Sequence, residues 1–193
     1  MEVVYEDQGG PMVLHEGDCF LQPPQIRHRV LSCSPGLQVI ELGCPANHET
    51  FADLEMTLPT DTLQPEREWN GQRFVFHEAS KAAWKRLPFA GSSTAFEVRD
   101  VGIAEATKHL LRVRVGRLLS AEAPHQETKV VHDHDFLFYF VLDGSLIVDA
   151  GEKGVYKLET ADSITVPRNV EVVMKGFSRN TQLLEVNMPT SQL

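Results

Sequence analysis

The chain has 193 residues, 42% of them hydrophobic, enough for one large or two small domains with a real core. Its 18 Lys and Arg against 27 Asp and Glu give a formal charge of −9, which argues against non-specific binding to nucleic acid or an anionic membrane. No apolar run approaches the ~18 residues of a membrane-spanning helix, and the acidic start "MEVVYEDQGG" is unlike a signal or transit peptide, so a cytoplasmic protein is expected.

In chain order, most of the sequence reads as short strands. "PMVLHEGDCFLQPP" predicts two strands around Gly17-Asp18, and "HRVLSCSPGLQVIELGCP" two more around Ser34-Pro35-Gly36. Cys19, Cys33 and Cys44 are odd in number and widely spaced, which fits neither a disulfide framework nor a zinc knuckle. From Ala46 to about Trp69 a Pro-, Thr- and Glu-rich segment without periodicity reads as a linker. "GQRFVFHEA" opens a second unit near Gly71, and "SKAAWKRLPFAGSS" is a connection with one helical turn. "TAFEVRDVGIAEAT", "HLLRVRVGRLLSAEAP", "DFLFYFVLDGSLIVDAG", "KGVYKLETADSITVP", "VEVVMKGFS" and "TQLLEVNMP" all predict strands. Asp143-Gly144 and Lys153-Gly154 mark turns between them. Many short strands punctuated by Gly and Pro, with no striped helix, predict an all-β jelly roll or similar barrel.

A gapless internal repeat supports two related units. "LHEGDCFLQPPQIRHRVL" aligns with "LETADSITVPRNVEVVMK", placing Leu14 on Leu158, Asp18 on Asp162, Pro23 on Pro167 and His28 on Val172. The first segment, with its Gly-Asp turn, Pro and His, resembles the second sequence signature of the cupin superfamily. "HDHDFLFYFVLDGSLIV" followed by "TADSITVPRNVEVV" is similar to both cupin signatures. The resemblance implies jelly-roll, double-stranded β-helix barrels in a bicupin-like arrangement. Residues 1–50 would form a partial first barrel, 51–70 a linker and 71–193 a second barrel. It also implies a divalent metal (Fe, Mn, Ni or Zn) held by three histidines and a Glu inside a barrel.

Position by position, the second barrel departs from that pattern. Val130 stands for the first histidine, His132 for the second, Leu137 for the Glu and Val172 for the third histidine, while His134 is additional. His132 and His134, two apart, would aim to one side of a strand. With a third ligand such as His125, Glu127 or Glu171 they could hold a metal. The alternative is a solvated strand end. In the first barrel His28 matches the third histidine, but the residues before it contain no HxH pair, so a partial barrel or additional upstream residues are expected. Gln22 is expected to line the same pocket as His28. Arg112 and Arg114 share a strand face. They either point into a pocket, where they could pair with a carboxylate ligand, or form a solvated face. Phe138 and Phe140 are expected to pack in the core, with Tyr139 on the other face as core or pocket lining.

Two functions follow as expectations. One is a metal-dependent enzyme, of dioxygenase or isomerase type, acting on a small organic acid or aromatic substrate. The other is a non-catalytic cupin, structural or binding a small organic ligand, that has lost its metal site. A homodimer is expected in either case.

Overall fold

The computed structural model describes residues 1–44, 55–92, 94–119 and 126–190. The chain divides into two compact units, Met1–Ser80 and Lys81–Leu193. Among the described residues no helix is long and apolar enough to cross a membrane.

The first unit holds β1 (Glu2–Tyr5), β2 (Met12–Val13), β3 (Cys19–Leu21), β4 (His28–Ser32), β5 (Glu68–Trp69), β6 (Gln72–Arg73) and β7 (Val75–His77). β1 lies between β2 and β4, β3 pairs with β7, and β5 with β6 forms a hairpin across Asn70-Gly71. The described residues of this unit form no closed barrel. Its core gathers Val3, Tyr5, Ile26 and Trp69, with Phe20 and Phe74 against them. Two sequence expectations are corrected. Residues 37–44 carry no strand, and Leu37, Val39, Ile40 and Leu42 are exposed. Val75–His77 pairs with Cys19–Leu21, so the segment after Gly71 completes the first unit instead of opening the second. Most of the expected linker from Ala46 lies outside the described residues.

The second unit contains β8 (Lys85–Arg86), β9 (Phe96–Asp100), a single helical turn α1 (Ile103–Ala106), β10 (Arg112–Leu118), β11 (Glu127–Val130), β12 (Phe136–Asp143) and β13 (Ser145–Asp149). β14 (Val155–Glu159), β15 (Ser163–Thr165), β16 (Val172–Lys175) and β17 (Gln182–Met188) complete it. Its sheets have the orders β15-β12-β17-β10-β9-β8 and β11-β16-β13-β14. From β10 to β13 the chain changes sheet at each strand, and from β14 to β17 it does so again. That alternation is the double Greek key of a jelly roll. α1 corrects the reading of "TAFEVRDVGIAEAT" as strand throughout.

The core between the two sheets is apolar. Val130, Leu137, Val141, Leu146, Val148, Val172, Met174 and Leu183 are all buried there. On β12 the buried face is Leu137, Tyr139 and Val141, whereas Phe136 and Phe138 stack half-buried on the other face with rings 6.0 Å apart. The expected core role of Phe138 and Phe140 is thus reversed, because three residues of one parity meet the opposing sheet. Gly116 on β10 has a packing reason. A Cβ there would come within 2.4 Å of the Phe89 ring, which lies flat against the strand.

The repeated segments adopt one backbone path. Asp18 accepts the His15 N–H at 2.8 Å, and Asp162 accepts the Glu159 N–H at 2.8 Å. Gly17 and Ala161 before them both have positive φ, 84° and 76°, and so do Gln25 and Asn169 further on, 70° and 59°. The strands that follow, β4 and β16, each pair antiparallel with an earlier strand, β1 and β13 respectively.

Candidate functional site

In the second unit β10, β11, β12 and β17 and the loop Pro88–Ser92 border an open cavity of about 360 Å³. This lies within the size range of small-molecule sites. Its apolar floor includes Phe89, Val130 and Leu137, and its charged groups are the cations Arg112, Arg114 and Lys129 and the carboxylate Glu185. β10 supplies Arg112 and Arg114, β11 supplies Lys129, and the loop before β12 supplies His132 and His134.

Below these lies a buried polar network. Glu185 on β17, its side chain 4% exposed, receives both Nε–H and Nη2–H of Arg114 on Oε1. Its Oε2 accepts the Tyr139 hydroxyl at 3.0 Å. Register explains the meeting, since Arg114 and Tyr139 are both cross-strand partners of Glu185. Arg114 Nη1 donates to the Pro88 carbonyl at 2.9 Å, and the guanidinium sits 5.4 Å from the Phe89 ring. Burial, then the Glu185 charge and hydrogen bond, push the Tyr139 phenol well above its ordinary value. Glu185 was not singled out from sequence. Its signal was a carboxylate alternating with Leu183 on one strand face, opposite a strand with two arginines.

His132 and His134 do not lie on a strand. β11 ends at Val130, and residues 131–135 form a loop that carries both side chains to the cavity. Their rings still stack, 5.6 Å apart and 27° from parallel. His132 Nε2–H donates to the Val166 carbonyl at 2.8 Å, leaving Nδ1 buried with no partner among the described residues. Asp133 and Asp135 are exposed, and His134 is 3.9 Å from Asp133.

A metal does not fit these residues. It needs at least three convergent protein ligands. The other three positions of the expected set are Val130, Leu137 and Val172, all packed into the core. Among the described residues no group of three or more His, Cys, Asp or Glu is placed to hold an ion. Of the expected third ligands, Glu127 on β11 is exposed, and Glu171, also exposed, pairs with Lys129 at 3.3 Å. His125 lies outside the described residues.

Arg112 is exposed at the cavity rim, while Arg114 lies deeper, its side chain 15% exposed. In the first unit His28 is exposed and stacks on Tyr5 at 5.4 Å. Its Nδ1–H donates to the Ile26 carbonyl at 3.2 Å, and its Nε2 accepts from the Gln22 amide at 3.0 Å. Gln22 therefore meets His28, and both imidazole nitrogens are already engaged.

No family model and no curated protein matches the chain. Among solved structures it is similar to a predicted oxalate decarboxylase from Thermotoga maritima, with 14% identity over 58% of this chain and 97% of that one and a TM-score of 0.49. It is also similar to an RmlC-like cupin from Shewanella frigidimarina, with 14% identity over 59% and 89% of the two chains and a TM-score of 0.43. A third, KdgF from Halomonas sp., shows 12% identity over 60% and 94%, with a TM-score of 0.46. The alternation of strands between two sheets establishes the fold without these likenesses: the second unit is an all-β jelly roll.

Proposed function

We propose that the second unit is a small-molecule-binding jelly roll without a metal centre of its own, and that its ligand is a small organic anion. The carrying observation is the charge of the cavity wall. Arg112, Arg114 and Lys129 face one space, with Glu185 the single carboxylate lining it among the described residues, in a chain of net charge −9. Such a local reversal of sign draws an anion in and holds it. The apolar floor of Phe89, Val130 and Leu137 takes the hydrocarbon part of the ligand. Arg112, Arg114 and Lys129 cannot act as metal ligands, and three of the four interior positions that would be ligands are hydrocarbon, so the binding role has more support than metal-dependent catalysis.

The test is calorimetric titration of the full chain with short mono- and dicarboxylates and with benzoate. One arginine contact at an open rim supports a dissociation constant on the order of 0.1–1 mM. Arg112→Gln and Lys129→Gln should each weaken binding several-fold. Elemental mass spectrometry on protein purified without chelator runs alongside. Absence of binding to every acid, or a near-stoichiometric metal lost in His132→Ala, would overturn the reading.

A further inference from the structure

A second, wider cavity of about 690 Å³ shares Pro88, Arg112 and Arg114 with the first. It is also lined by groups of the other sign. Asp100 at the end of β9 and Glu105 in α1 both line it. Asp100 stands directly across from Arg114 in the strand register, yet Arg114 turns to Glu185 instead. One Asp100 oxygen accepts the Gly102 N–H at 2.9 Å, and that is its one bond among the described residues. The Glu105 carboxylate and the Arg112 guanidinium have no partner among the described residues. Free charges of both signs thus line one cavity without closing on each other.

The backbone between them is held in an uncommon shape. Lys108 and His109 are consecutive side-chain-bearing residues at positive φ, 52° and 65°. That conformation persists only where its surroundings impose it, and such residues cluster at ligand sites. Here it turns the chain from α1 back into β10 and sets His109 on the cavity wall. Arg114 also has capacity to spare. Of its five N–H groups, two go to Glu185 and one to Pro88, leaving two for a ligand.

We propose that the ligand is a zwitterion, an amino acid whose carboxylate lies against Arg112 and Arg114 and whose ammonium reaches toward Asp100 and Glu105. This rests on the anion reading above and adds the second charge. A simple acid would leave both carboxylates of the wider cavity without a counter-charge, and a simple amine would leave Arg112 so.

The experiment is a titration of the full chain, followed by amide NMR shifts, with straight-chain ω-amino acids from glycine to aminohexanoate. Each is run beside the acid that lacks the amine. One chain length should bind about five- to tenfold tighter than its parent acid. Glu105→Gln and Asp100→Asn should each reduce that advantage toward unity without weakening affinity for the acid. Arg112→Gln should weaken acid and amino acid alike. If acids bind and no amino acid binds tighter, or if the advantage survives both carboxylate variants, the zwitterion inference falls and the anion reading stands. If neither acids nor amino acids bind, both fall.

Discussion

Replacing Glu185 by Gln separates the two roles of its carboxylate. The side chain keeps its shape and an oxygen for the Tyr139 hydroxyl, but the counter-charge of Arg114 is gone. Breaking a fully buried ion pair by removing one partner costs about 3–5 kcal/mol. Arg114 is 15% exposed and borders a cavity, so it can turn partly toward water. The expected loss is therefore about 2–4 kcal/mol, or roughly 8–15 °C in melting temperature for a unit of this size. Differential scanning calorimetry reads it as a shift of one transition, if the two units melt separately. A cycle with Arg114→Met should give a coupling of about 1–3 kcal/mol. Ligand binding should move the other way. With the single carboxylate of the smaller cavity neutralised, Glu185→Gln should bind carboxylates several-fold more tightly. Unchanged melting together with zero coupling would refute the reasoning, because the pair would then be no stronger than an exposed one. The sign assigned to the cavity would fall with it.

Gly116→Ala should cost about 1–3 kcal/mol, because the new methyl meets Phe89 at 2.4 Å and that ring is packed against Phe96 and Tyr139; urea denaturation checks it, and wild-type stability would show that Phe89 is loosely held. Alkaline pH should destabilise both units. Burial holds the phenols of Tyr139 and Tyr5 above their ordinary 10.0, so the folded state keeps a proton that the unfolded chain releases. Stability is then full below pH ~10 and falls above it by about 1.4 kcal/mol per pH unit for each tyrosine. Tyr139→Phe should remove that slope from the second unit alone, as read by melting at stepped pH. Asp162→Ala removes one turn-closing bond and should cost about 1 kcal/mol, whereas Asp18→Ala also removes the bond that its other oxygen accepts from the Ala79 N–H at 2.8 Å and should cost about 2 kcal/mol; equal losses in urea denaturation would show that the Ala79 bond contributes nothing.

The fold was legible where period and turns speak together. The alternation in "LRVRVGRL" and the Asp143-Gly144 turn located β10 and the turn between β12 and β13 closely. "LQVIELG" alternates almost as well but forms no strand, since no neighbour is present to pair with it among the described residues. The histidine pair was found, but its setting was misread. "VVHDHDF" carries the period of a strand, and only the turn of the chain from one sheet to the other shows it to be a loop. Arg114 and Tyr139 were named from sequence, but Glu185 was not. An ion pair between residues far apart in sequence is fixed by strand order, which local pattern does not reveal.

The shared path of the two repeats has a further consequence. Gln22 and His28 of the first unit correspond to Val166 and Val172 of the second, on turns that agree in hydrogen bonds and in left-handed residues. One copy carries an amide bonded to an imidazole, and the other carries two valines buried in hydrocarbon. Each unit is therefore an internal control for the other. Exchanging those two pairs of residues moves a partly exposed polar pair and a buried apolar pair between turns of the same path. Any difference that follows the exchange belongs to the side chains rather than to the backbone that displays them.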